Sequence, residues 1–591
     1  MAVLLVLGAV FARYNKDLSD FVRGGARGTW WMVGTSIFMA GVSAFTFTGN
    51  ASAAYEAGYS FAVIYLANIA GFAVGGFCLG PWLRQTRAYT GVDVVRARFG
   101  TGVEQLSAGI GVLLAPISAA LQLYALAVFT STTLNLPLVP VLIAIGTVVI
   151  FYSTTGGKWA VMATDFVQAT VLLSITILVF ILSLKAIGGV GEFVHLYNSP
   201  AFHNDYKFFK QPGEFPGDRF TVKWAIMAFL MQINAQISLQ AATRYIAAKD
   251  GREASRSAWL GVFLMAIGSL IWFVPPIVAR FLYADELMAT GLEKPTESAY
   301  AFIAMKLLPN GMVGMLIAAM FAATMSSMDT GLNTQVGVVA RNIIPRIRSA
   351  LGYHHDLKPR TEVRICHIAT LFFGALIIAY ALMFASQDTI ALFDAYLLIA
   401  SIIGIPMGIP HLVGLWIKNL PKWSYFPILT GCLIPSVWSF IDQSINGTTW
   451  TIQERAMWIF IFGMVATAIC WLLRNWSSAK SREDIKDFFK TMTTPVDYEK
   501  EIGASEVDYE QYFVMSKAVG VVSLLMLGIV LFPNTLFHRL CILMVAASIL
   551  LVAGLLRFQG HRTKRKYLAR QPEEAEAKEY LPESELSKER V

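Results

Sequence analysis

The sequence predicts an all-α polytopic membrane protein, and three observations predict it. Of 591 residues, 56% are hydrophobic and 15% charged, with a mean hydropathy of +0.56, a balance that no soluble globular class shows. Apolar runs of about 18 to 25 residues recur along nearly the whole chain, each long enough to cross a hydrocarbon core about 30 Å thick. Basic residues gather in every second connection between those runs, as cytoplasmic loops do. The net charge of +8 is therefore read as membrane orientation, and it argues against a nucleic-acid partner.

Taken in order, spans are expected near residues 1–13, 30–54, 59–83, 105–130, 137–154, 159–186, 221–246, 255–283, 311–340, 363–386, 389–417, 423–441, 454–473, 512–532 and 536–557. The first lacks a basic start and a cleavage site, so it reads as a short or truncated helix and not as a signal peptide. Arg13, Lys16, Arg23 and Arg27 follow it; Arg84, Arg87, Arg96 and Arg98 mark the next loop on that side, then Lys158, then Lys249, Arg252 and Arg256. Arg341 to Arg360, Lys418 with Lys422, and the 474–511 stretch continue the series. This places the N-terminus outside and the C-terminus inside a plasma (inner) membrane. The connector 188–219, with Pro200, Pro212 and Pro216, reads either as a lid over the outer mouth or as a plain connection. Cys78, Cys366, Cys432, Cys470 and Cys541 stand singly in apolar runs, as small packing residues do. After His561 comes a basic run and then an acidic tail, a solvated end behind a membrane-surface anchor.

Four stretches are too polar for lipid contact. Gly314–Asn333 places Ala323, Ser326, Ser327 and Thr330 at i, i+3, i+4 and i+7, one stripe of small and hydroxyl groups with Asp329 at its edge. An intramembrane carboxylate beside hydroxyls is a cation-site hypothesis, and oxygen ligands suit a hard ion such as sodium. The second span mixes Gly34, Gly41 and Gly49 with Thr35, Ser36, Ser43, Thr46 and Thr48; it reads either as a helix interrupted at mid-membrane or as a small-residue packing helix. Asp165, with Thr164 and Gln168, lies seven residues past Lys158, about 10 Å into the membrane at about 1.5 Å per residue; a salt bridge to a neighbouring helix is the plainer reading. In the seventh span Gln232, Asn234, Gln236, Ser238 and Gln240 alternate, so part of that helix lines a cavity or is unwound. Asp394 faces an outer vestibule or caps its helix, and His367 and His411 receive no role.

The run G-G-K-x-A-V-x-x-T-D-x-x-Q from Gly156 to Gln168, together with A-A-T-M-S-S-M-D-T-G-L-N from Ala322 to Asn333, resembles the sodium/solute symporter family. R-x-R-F-G at Arg96–Gly100 and R-Y-I-A-A-K at Arg244–Lys249 strengthen the likeness, which covers roughly residues 10–420. The resemblance implies a five-plus-five inverted-repeat core with one N-terminal and about four C-terminal extra spans, and broken second and seventh spans as repeat mates. The implied division is 1–28 for the first span and loop, 29–187 for the first repeat, 188–219 for the outer connector, 220–420 for the second repeat, 421–558 for additional spans and 559–591 for the tail.

The resemblance also implies a sodium site from the carbonyls of Met39, Val42 and Ala323 and the hydroxyls of Ser326 and Ser327, and a second sodium site from Asp165, Ser326, Asp329 and Thr330. Its solute pocket falls on Gly41, Phe45, Thr46, Tyr65, Gln232, Asn234 and Gln236, which offer amides, a hydroxyl and aromatic faces without a fixed charge. The expected function is sodium-coupled symport of a small neutral or zwitterionic organic solute, with sodium as coupling ion, no other cofactor, and the bilayer as surroundings. The alternative is a solute sensor or uncoupled facilitator on the same scaffold. No His, Cys and acid constellation suggests an enzyme, and the oligomeric state is open.

Overall fold

The computed structural model describes residues 6, 10–11, 18–290, 294–353, 359–386, 398, 400–503 and 505–579. Most of the expected first span, Asp394 and the end of the tail lie outside the described residues, as do the side chains of Gln240, Asp329 and Thr330. The chain forms two compact units, residues 1–496 and 497–591. Among the described residues, ten helical stretches are long and apolar enough to cross a membrane, and three shorter apolar helices accompany them; the chain is a multi-pass membrane protein.

The helices that position the site are α1 Leu18–Arg23, α2 Trp30–Ala40, α3 Gly49–Ala57, α4 Val63–Val74, α5 Gly80–Gln85, α6 Gly91–Phe99, α7 Thr101–Leu134 and α8 Leu138–Ile187. After the connector come α9 Val222–Gln236, α10 Leu239–Ile246, α11 Gly251–Ile271, α12 Val274–Met288, α13 Met312–Val338, α14 Pro359–Ala385 and α15 Ile405–Trp416. The first unit closes with α16 Tyr425–Asn446, α17 Ile452–Leu472 and α18 Ala479–Thr493. The second unit pairs α19 Val507–Gly528 with α20 Leu536–Glu579. Ser516 Oγ donates to the Ala553 carbonyl and Ser523 Oγ to that of Ala546, each at 2.8 Å, so the two helices run antiparallel.

Two spans are interrupted, and local chemistry shows why. The helix that starts at Trp30 stops at Ala40; Ser43 then caps a new turn, accepting from Phe45 N while Thr46 Oγ1 accepts from Ser43 N. Serine and threonine offer the backbone a partner other than the helical one. Thr324 of α13 accepts from Ala44 N at 2.9 Å, so the break is also held from outside. Between α9 and α10 the chain turns at Ile237 and Ser238. A third interruption, inside α8, sits at Gly157, with φ 61° and ψ −178°, a conformation essentially restricted to glycine; the spans expected at 137–154 and 159–186 meet there. The span expected at 255–283 is instead two helices, because Pro275 and Pro276 start α12, where proline has no N–H to lose.

Helix α2 packs against α8, α11 and α13. Its approach to α11 needs Gly34, since a Cβ there would stand 2.8 Å from the Ser257 carbonyl oxygen. The connector 188–219 packs onto the end of α3: Tyr206 Oη donates to the Tyr55 carbonyl at 3.1 Å, Tyr59 N donates to Tyr197 Oη at 3.1 Å, and Ser60 Oγ donates to the Lys207 carbonyl at 2.8 Å.

Candidate ion and solute site

The packing of α2 on α13 brings the first break against the hydroxyl stripe. Ser327 Oγ lies 3.3 Å from the Met39 carbonyl oxygen, 3.1 Å from that of Val42 and 3.4 Å from that of Ala323. Gly41 and Val42 N–H turn back to Phe38 and Met39, a tighter turn that leaves Val42 C=O outside the helical ladder. The result is an oxygen-only cluster of the kind hard cations accept. Ser326, one residue earlier, is 1% exposed and lies on the side of Asp165 of α8. Asp165 is fully buried, with Ser36 and Ser326 as hydroxyl neighbours and Lys158 and Arg244 as the nearest cations. Neither hydroxyl reaches it with hydrogen-bonding geometry: both carboxylate oxygens, Ser36 Oγ, Ser326 Oγ and both amide atoms of Gln168 are left without a partner. Buried polar groups are nearly always satisfied, so this set is disposed to receive something. Among the described residues, no group of three His, Cys, Asp or Glu gathers to hold a metal.

Beside the break lies a cavity of about 280 Å³ lined by Gly41, Phe45, Thr46, Tyr65, Gln232, Gln236 and Ser327, among others. Asn68 of α4 anchors its polar wall, accepting from Gln232 Nε2 at 2.7 Å and Gln236 Nε2 at 2.8 Å. Asn50 Nδ2 donates to Tyr65 Oη at 2.8 Å, and Gln122 Oε1 also reaches the lining without a partner. Buried aromatics Phe47, Tyr65, Trp272, Phe273 and Tyr300 pack edge to face on one another. A second, mostly apolar cavity of about 350 Å³ shares Ser118, Leu121, Ala235, Ser238 and Thr334 with the first and extends to α6 and His411.

One expected pocket residue is elsewhere. Asn234 is 4% exposed and donates to the Gly404 carbonyl at 3.4 Å, against Gly408, where a Cβ would collide with its amide. On a helix Gln232 and Gln236 share a face, and Asn234, about 200° from either, points to the opposite one. Sequence reasoning gives no site role to Ser36, Asn68, Gln122 or Arg244. Asn68, a lone amide in the apolar run of α4, was the legible signal; Arg244 was noticed only as part of a motif, yet its side chain reaches the lining and brings a charge that the expected pocket lacked.

The sequence matches the sodium:solute symporter family over residues 21–422. It is 23% identical to the sodium/sialic acid symporter SiaT of Proteus mirabilis (strain HI4320), over 71% of this chain and 83% of that one. It is 22% identical to the sodium/glucose cotransporter 1 of Mus musculus, over 72% and 68% respectively. A solved structure of a Na+-coupled sialic acid symporter in a substrate-bound outward-open state matches with a TM-score of 0.68 at 20% identity, covering 80% of this chain and 96% of that one; this is a likeness of fold. The family match takes in both interrupted helices, the Asp165 helix and the Ser326–Ser327 helix, and the chain belongs to the sodium:solute symporter family, whose members are transporters and not enzymes.

Proposed function

We propose that this symporter imports a small neutral or zwitterionic organic solute with sodium, by alternating access across the plasma membrane, with its N-terminus outside and its C-terminus in the cytoplasm. The observation that carries the reading is the convergence of Ser327 Oγ with the Met39, Val42 and Ala323 carbonyls at the edge of a polar cavity to which Ser327 itself contributes. Sodium there joins α2 to α13 and favours the conformation in which the solute site is formed; coupling follows because both ligands prefer that conformation. A membrane potential of about 100 mV contributes about 2.3 kcal/mol per charge moved.

A second sodium is placed between Asp165 and Ser326, where unpartnered oxygens meet; Asp329 and Thr330 complete this proposed set. Asn68, Gln232, Gln236 and Tyr65 are the proposed solute contacts, and Arg244 supplies a cation for a zwitterion's carboxylate. Among the described residues no carboxylate lines the cavity, which disfavours a purely cationic solute. The second cavity, extending to α6 with its flanking basic loop, is the proposed exit path, and the aromatic cluster is the proposed outer closure. The repeat division 29–187 and 220–420, with the connector 188–219 between them, is retained as part of this reading.

The test is uptake of radiolabelled candidates (sugars, amino acids, monocarboxylates, nucleosides) into proteoliposomes, after a thermal-stabilisation screen in sodium and in potassium. A solute that stabilises only with sodium, and whose uptake collapses in Ser327→Ala, supports the reading. Solute binding that is equal in potassium, or uptake indifferent to Ser327, overturns it.

A further inference from the structure

A second charged cleft lies away from the transport cavity, where the segment after α15 faces the segment joining α17 to α18. It encloses about 400 Å³ and is lined by Lys418, Arg474, Arg482 and Lys486, with Ser477, Ile485 and Phe489 and, among the described residues, no carboxylate. On α18, Arg482, Ile485, Lys486 and Phe489 fall at i, i+3, i+4 and i+7, one face of the helix. Ile485 and Phe489 are buried and fix that face; Arg482 and Lys486 are exposed. Nearby Asp484 is engaged by Lys422 at 2.5 Å, so it does not neutralise the cleft.

An independent observation points to a ligand. Ser477 is 6% exposed, yet its hydroxyl has no hydrogen-bond partner, and it lines the same cleft. A buried hydroxyl left unsatisfied costs about 1–3 kcal/mol, and four cations around one opening raise a local positive potential. Both are relieved by one kind of group, an anion rich in acceptor oxygens. The cleft's surroundings are those of a membrane boundary: the Arg474 guanidinium lies 4.2 Å from the Trp471 ring centroid, and Trp416 and Trp476 are exposed beside it, as tryptophans are at the headgroup level.

We propose that this cleft binds a phosphate group, with Lys418, Arg474, Arg482 and Lys486 supplying charge and Ser477 Oγ donating a hydrogen bond. The group is carried by an anionic phospholipid headgroup or by a free phosphorylated compound; basic pockets beside transmembrane helices take such headgroups. The site shares no residue with the transport cavity and does not depend on which solute is carried.

The test uses delipidated full-length protein titrated separately with phosphatidylglycerol, phosphatidylcholine and inorganic phosphate, read by native mass spectrometry and by thermal midpoint. The wild type is expected to retain phosphatidylglycerol at least about tenfold more tightly than phosphatidylcholine, as several charge-assisted contacts to one phosphate imply. The double variant R482Q/K486Q, altered only at exposed side chains, loses that preference; Ser477→Ala weakens retention severalfold with the lipid-free midpoint unchanged. A midpoint raised by inorganic phosphate and abolished in R482Q/K486Q, without lipid preference, supports the site with a soluble ligand. Equal retention of both lipids with no response to phosphate overturns the proposal. So does an equal loss of preference in a control variant neutralised at Lys564 and Arg565 of α20, because binding would then follow total charge.

Discussion

Arg84 and Arg280 hold the far ends of the two interrupted helices in the same way. Arg84, 1% exposed, donates through Nε to the Ala248 carbonyl at 2.6 Å and through Nη2 to that of Lys249 at 3.0 Å, just past the end of α10. Arg280 donates through Nη1 to the carbonyls of Tyr55 at 3.0 Å and Glu56 at 2.6 Å, in the last turn of α3, and pairs with Asp205 of the connector. A cation at a helix C-terminus satisfies carbonyls that have no intrahelical partner and opposes the negative end of the dipole. Each half-helix is thus interrupted at the site and pinned at its other end by a charged side chain.

Replacing Arg84 with glutamine is therefore expected to destabilise the fold by about 2–3 kcal/mol, since charged hydrogen bonds to two carbonyls are lost. Arg280→Gln is expected to cost less, because its partners are nearer to water and Asp205 is partly exposed, but to loosen the connector from α3. Thermal midpoints rank the two variants; protease cleavage within 188–219, faster in Arg280→Gln than in Arg84→Gln, separates the mechanisms. Equal midpoints and equal cleavage contradict this assignment.

Asn68 and Asn234 give the sharpest contrast for the solute site. Removing Asn68 leaves the amides of Gln232 and Gln236 without their common acceptor, so Asn68→Ala is expected to raise KM for solute by about tenfold, the scale of about 1.4 kcal/mol. Asn234→Ala, on the opposite face, is expected to leave KM within about twofold and instead to lower stability, through the lost bond to Gly404, by about 1 kcal/mol. Uptake kinetics and thermal midpoints on the two variants check both halves.

Asp165→Asn tests the second ion. If the carboxylate holds sodium with Ser326, removing its charge reduces the sodium-to-solute ratio by one, seen as a shift in the reversal potential of transport in vesicles, while sodium-dependent stabilisation through Ser327 survives. An unchanged ratio returns Asp165 to a structural role with Lys158 and Arg244.

Much of this arrangement is legible in the sequence. Hydroxyls and glycines inside an apolar run admit a break in the second span, because they offer the backbone other partners, although a small-residue packing helix shows the same residues; the stripe of Ala323, Ser326 and Ser327 follows from helical spacing alone. What the sequence hides is direction. The alternation of Gln232, Asn234 and Gln236 does not say which face of α9 meets the cavity; Asn68 and the packing of α4 on α9 decide it. The 255–283 run reads as one span, and Pro275–Pro276, where the structure divides it, are the signal that this reading passes over; the attachment of the 188–219 connector to α3 rests on single hydroxyls and carbonyls that no pattern marks.

Gly157 separates the strain of a backbone from the chemistry beside it. Its φ of 61° and ψ of −178° turn the chain directly before Lys158, one of the two cations nearest Asp165. Any L side chain there meets a conformation costing about 1–3 kcal/mol, so Gly157→Ala is expected to lower stability by that amount although no methyl-sized group is lost. The relief available to the variant is to straighten α8, which rotates Lys158 and shifts Asp165 relative to Ser326. Sodium affinity, measured by sodium-dependent thermal stabilisation, should therefore weaken in Gly157→Ala more than in Gly314→Ala of α13, where a Cβ meets nothing within 4 Å. Equal sodium responses in the two variants would show that the kink serves only to join two helices.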